Sequence, residues 1–153
     1  MPDAADPKAT TLAGRERVLA IAMGVAVAID AVLGIGAIIA VPYHRHTALV
    51  PSKGSAVYGA HALLGALLAI VALAIIPRWS QISRTARVSA LTGCIGLAVA
   101  GLGGILTVFH PTRLFGMVLM LLGWVAAETG YFVPAFDEPP PPPGVAPSGM
   151  RPR

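Results

Sequence analysis

The residues of this chain that could do chemistry are four histidines and two carboxylates set in apolar surroundings. His61 opens the stretch His61-Ala-Leu-Leu-Gly65, and His110-Pro111 stands between two apolar runs. An imidazole can ligate a transition metal or a haem iron through one ring nitrogen while the other is held by a neighbour. His44 and His46 form a His-x-His pair in a polar stretch, a spacing that holds a metal only where further ligands join it. Asp30, in AIDAVLGIG, and Glu128 lie inside apolar runs, where an ionisable group is costly and is a functional candidate by default. For Asp30 the functional reading is a proton or ion relay. The plainer reading, an acid that hydrogen-bonds a neighbouring helix, is preferred. Glu128, nearer a span end, is expected to snorkel or to cap.

The elements that carry these residues follow from composition. The chain has 153 residues, 56% of them hydrophobic and 12% charged, with a mean hydropathy of +0.75. Soluble domains carry about a quarter charged residues. A helix needs about 20 apolar residues to cross a hydrocarbon core ~30 Å thick. Four runs meet that length, at about 18–41, 56–76, 88–109 and 113–133. The expected fold is all-α: a four-helix transmembrane bundle, up-down-up-down, within residues 15–135. The first run is too long for the apolar core of a cleaved signal peptide. Pro77 and Pro134 are expected to end the second and fourth spans, and Pro111 suits the first turn of a helix. Residues 1–14 are polar and are expected to be a disordered N-terminus. The proline-rich tail, 136–153, with Pro139 to Pro143 in a row, cannot build a core and is expected to be disordered.

The basic residues set a topology. Lys8, Arg15, Arg17, Arg78, Arg84, Arg87, Arg151 and Arg153 lie on one side of the four spans, and Arg45, Lys53 and Arg113 on the other. The positive-inside rule then places both termini in the cytoplasm, in a cell (inner) membrane. All four histidines gather at the outer side. Helices two and four run parallel and fall across a diagonal of roughly 12–14 Å, given edges of 8–10 Å. That separation suits two imidazoles on one iron. Gly34 and Gly36 on the first helix, and Gly101, Gly103 and Gly104 on the third, would supply thin walls, with Gly65 one turn beyond His61. The pieces are consistent with one b-type haem whose axial ligands are His61 and His110.

His61-xxx-Gly65 at the head of the second helix and His110 heading the fourth, after a glycine-rich third, resemble one half of the haem A synthase family. In that family each four-helix half presents a histidine at the start of its second and fourth helices. The arrangement is also similar to small four-span bacterial membrane families with a histidine-proline before the last helix. The resemblance spans residues 18 to 133 and implies haem binding. The chain holds one half, its first loop lacks the cysteine pair of many such enzymes, and no carboxylate is expected near His61, so haem oxidation is not implied.

Other chemistry is excluded. No nucleophile elbow, phosphate loop or thiolate metal motif occurs, and Cys94 stands alone in the third span. The bases sit at helix ends without interleaved aromatics, which argues against nucleic acid. Small residues recur at four-residue spacing, Gly96-Ala100-Gly104 and Ala20-Gly24-Ala28, a pattern that lets helices approach closely in lipid. The leading expectation is a non-catalytic accessory or assembly subunit of a larger respiratory or transport complex, or a homo-oligomer, with no assured cofactor. The alternative is a bis-histidine haem b protein for electron transfer or haem handling.

Overall fold

The computed structural model describes residues 14–42 and 51–136, without the His110 side chain. The expected first-loop metal pair, His44 and His46, and the expected disordered N-terminus and tail lie outside these residues, apart from the helical ends Gly14 and Phe136. Four helices follow in order: α1 Gly14–Ala40, α2 Ser55–Trp79, α3 Arg84–Val108 and α4 Arg113–Phe136, with a short 3-10 turn at His110–Thr112. Each is long and apolar enough to cross a membrane. The protein is an all-helical, multi-pass membrane protein. At ~1.5 Å per residue the helices run about 36–40 Å, so their ends reach beyond the hydrocarbon into the headgroup layers.

Four helix ends differ from the expectation, the first of them the start of α1 at Gly14, a turn before the expected span. The second helix does not stop at Pro77 and the fourth does not stop at Pro134; they continue to Trp79 and Phe136. A proline this close to a C-terminus removes one backbone hydrogen bond and leaves the last turn free to form. Burial completes it, because Trp79, Pro134 and Ala135 all pack inside. The third helix begins a turn early, at Arg84, because the Ser83 hydroxyl accepts the Ala86 N–H at 3.0 Å and caps it. Pro111 takes its expected place ahead of α4.

The helices form a four-sided bundle in chain order. α1 touches α2 and α4, and α3 touches the same two; α2 and α4 lie across the diagonal, as expected. The closest side is α3 against α4, antiparallel, backbone on backbone. A Cβ added at Gly123 would lie 2.3 Å from Ala100 N, at Gly96 2.4 Å from Ala127 N, and at Gly103 2.4 Å from Met120 N. Gly116 and Gly130 are equally tight, against Thr107 and Gly93. No side chain fits at these five glycine positions. Gly104, expected in this stripe, has nothing within 4 Å of its would-be Cβ; Gly103 takes that role. The Thr107 hydroxyl, buried in the seam, donates to Gly103 O at 2.8 Å, so it carries no unmet polar group there.

Larger side chains gather where α1 begins and α4 finishes, called here the terminal end. Trp79, Tyr131 and Ile75 are fully buried, and the Trp79 and Tyr131 rings meet edge to face at 6.3 Å. Trp79 Nε1 donates to Glu16 Oε2 at 2.9 Å, and Arg78 lies 3.5 Å from the other oxygen. Cys94 packs at the edge of this core as a small residue. Phe132 of α4 sits over Gly24 of α1, where a Cβ would come within 2.8 Å of the ring.

Gly123→Ala should lower stability to unfolding by about 1–3 kcal/mol, as for an overpacked core. Gly101→Ala, where nothing lies within 4 Å, should be neutral or stabilising by up to about 1 kcal/mol. Denaturant titration in detergent, followed by circular dichroism, measures both; equal effects at the two sites would disprove the seam.

Candidate functional site

The structure brings Asp30 and His61 together. Asp30 lies on the inward face of α1 that also carries Met23, Val27, Gly34 and Ala37, at helical spacing. His61 lies on the face of α2 that carries Leu68, Ala72 and Ile75. Because α1 and α2 run antiparallel, the two meet inside the bundle, away from the terminal end. The His61 Nδ1–H donates to Asp30 Oδ1 at 2.9 Å. Both side chains are largely shielded, with 23% and 14% exposed. The expectation that no carboxylate stands near His61 is therefore corrected: one does, contributed by another helix 31 residues away. Asp30 is likewise partnered, which matches its preferred reading as an interhelical hydrogen-bonder.

Two glycines make the approach geometrically feasible. A Cβ on Gly34 would lie 3.0 Å from His61 Cε1 and 3.3 and 3.4 Å from the two ring nitrogens. A Cβ on Gly65 would lie 3.4 Å from Asp30 Oδ2. The arrangement is reciprocal. Each helix presents an ionisable residue and, four positions on, a glycine; the imidazole rests on one glycine and the carboxylate on the other. The signal was present in the sequence as Asp30-xxx-Gly34 opposite His61-xxx-Gly65, and becomes readable only once the register of the hairpin is known.

The other expected wall residues are placed differently. Gly36 meets Val57 on α2, Gly103 is enclosed in the α3–α4 seam, and Gly101 and Gly104 face open space. Gly34, Gly36 and Gly103 are thus engaged in helix contacts and do not line a slot across the α2–α4 diagonal. What does suit a ligand role is the orientation of His61. With Nδ1 held by a carboxylate, the neutral imidazole would present its Nε2 lone pair, the second-shell pattern usual for metal-bound histidines. Nε2 has no hydrogen-bond partner among the described residues. Within those residues no three His, Cys, Asp or Glu side chains stand close enough to hold a metal ion by themselves.

Glu128 departs from its expectation. It neither snorkels nor caps: both carboxyl oxygens are buried, with no hydrogen bond of good geometry among the described residues. Trp124 Nε1, one turn earlier on the same face, and the Tyr131 hydroxyl share that condition. Neither aromatic was singled out from sequence, because an aromatic in an apolar run looks like any other core residue.

No protein-family model, curated protein or solved structure matches this chain.

The Asp30–His61 contact should be worth about 1 kcal/mol of coupling, with ~2 as a ceiling, the range of interhelical hydrogen bonds in membranes. A double-mutant cycle of Asp30→Ala and His61→Ala, read by unfolding in detergent, measures it. A coupling indistinguishable from zero would mean the pair does not hold α1 to α2.

Proposed function

We propose that this protein is a non-catalytic accessory or assembly subunit, packed beside a larger respiratory or transport complex in a cell (inner) membrane. The single observation that supports this reading is the outward face of α1. A shallow apolar strip runs along it from Val18 to Leu33, edged by Phe132 of α4 and recessed at Ala22 and Ala28 between Val18, Val25, Ile29 and Val32. Small residues between larger ones are what a neighbouring helix needs for close approach where no hydrophobic drive operates between helices. The inward face of the same helix is already committed to α2 and α4, so the strip is free to seat a helix of another subunit. The lysine and arginine distribution supports cytoplasmic termini for such a subunit.

One observation favours the second reading, a haem b protein. His61 is held at Nδ1 by Asp30 and keeps Nε2 available, as an axial ligand requires. In that reading His61 and His110 are the axial pair, and the haem supplies one-electron chemistry that must pass to a partner, since one haem near one surface does not span the bilayer. Asp30 then fixes the plane of the imidazole.

Two measurements separate the readings. A photo-crosslinkable residue at position 22 should join the protein to a discrete larger membrane subunit, and Ala22→Trp, which fills the notch, should reduce that subunit's recovery at least fivefold. A reduced-minus-oxidised spectrum of the purified protein tests haem. A Soret and α-band absent from both His61→Ala and His110→Ala, in a lone stable monomer, would replace the accessory reading with the haem one.

A further inference from the structure

We propose that the α2–α3 turn is a binding site for the phosphate of an anionic phospholipid, formed by Arg78, Arg84 and Arg87. The three arginines surround a short connection: α2 ends at Trp79 and α3 begins at Arg84. Arg84 and Arg87 are three residues apart, hence neighbours on one helix surface. All three are exposed, and Arg15 and Arg17 at the start of α1 are exposed at the same end. The only described acid there, Glu16, is turned inward: its carboxylate accepts the Trp79 N–H and is 15% exposed. It offsets part of Arg78, and among the described residues no acid pairs with Arg84 or Arg87. α4 ends without a basic residue in its last turn, so the charge is concentrated over α1, α2 and α3 rather than spread round the bundle.

Depth decides the kind of partner. These helices exceed the hydrocarbon thickness, which places Arg78, Arg84 and Arg87 within a turn or so of a helix end, at the level of lipid phosphates. A guanidinium pairs with a phosphate through two parallel N–H bonds, a geometry an ammonium lacks. The sequence Arg-Trp-Ser-Gln-Ile-Ser-Arg-Thr-Ala-Arg therefore does more than orient the protein. It offers three planar forks around one turn to a ligand that the adjoining leaflet supplies at high local concentration. The inference is independent of the partner-helix reading, since it uses a different surface.

The full-length protein, purified in a neutral detergent, is exposed to equal amounts of phosphatidylglycerol and phosphatidylcholine, and lipid retention is counted by native mass spectrometry. The wild type should retain phosphatidylglycerol at least fivefold over phosphatidylcholine, and added salt should erode that preference. Each of Arg78→Gln, Arg84→Gln and Arg87→Gln should lower it, by up to about fivefold per arginine. Replacement of all three by lysine should keep part of it, and Lys53→Gln, at the opposite end, should leave it unchanged. Equal retention of the two lipids, or a preference that survives the triple glutamine variant, overturns the proposal. Should that variant not fold, a salt-insensitive preference in the wild type overturns it equally.

Discussion

The backbone contact between α3 and α4 is the constraint to which the rest of the bundle conforms. In lipid there is no hydrophobic drive between helices, so association depends on close van der Waals contact and on polar groups that find partners. Gly96, Gly103, Gly116, Gly123 and Gly130 bring the two backbones together so closely that a single added methyl at any of them would collide with main-chain atoms. α3 and α4 therefore behave as one closely packed unit. α1 and α2 must be fastened to that unit, and to each other, by other means.

Those means are side chains. At the terminal end, Trp79 joins α2 to Glu16 of α1 and to Tyr131 of α4 in one packed group. Farther along, Phe132 fills the space above Gly24, and the Asp30–His61 hydrogen bond ties α1 to α2. The two polar ties lie at different depths along the same hairpin and so resist both splaying and sliding. A hydrogen bond inside the membrane has modest net strength, yet an acid left there alone is expensive, which makes each partner a strong determinant of register for the other.

This division of labour bears on function. The inward surfaces are committed to holding the bundle, and the outward surfaces remain apolar, with a notched strip on α1 and a basic collar at the terminal end. The Asp30–His61 pair is the exception. It combines a structural tie with a ring nitrogen that has no partner among the described residues, and the haem reading passes through it.

The four spans were determined by the sequence alone, since twenty apolar residues in a row have no other inexpensive solution than to cross the bilayer as helices. The diagonal placement of α2 and α4 also followed, because short connections force neighbours in the chain to be neighbours in space. Tertiary structure decided what depends on rotation and register. Gly103 and Gly104 are adjacent in sequence, yet a turn of about 100° puts one in the seam and the other outside it. Asp30 and His61 read as separate polar intrusions, because nothing local says which residue of one helix faces which residue of the next. Pro77 and Pro134 read as stops, because the burial of Trp79 and Ala135 that extends both helices comes from other parts of the chain. Composition sets which helices exist; only the packed bundle, through contacts between residues far apart in sequence, sets which faces meet.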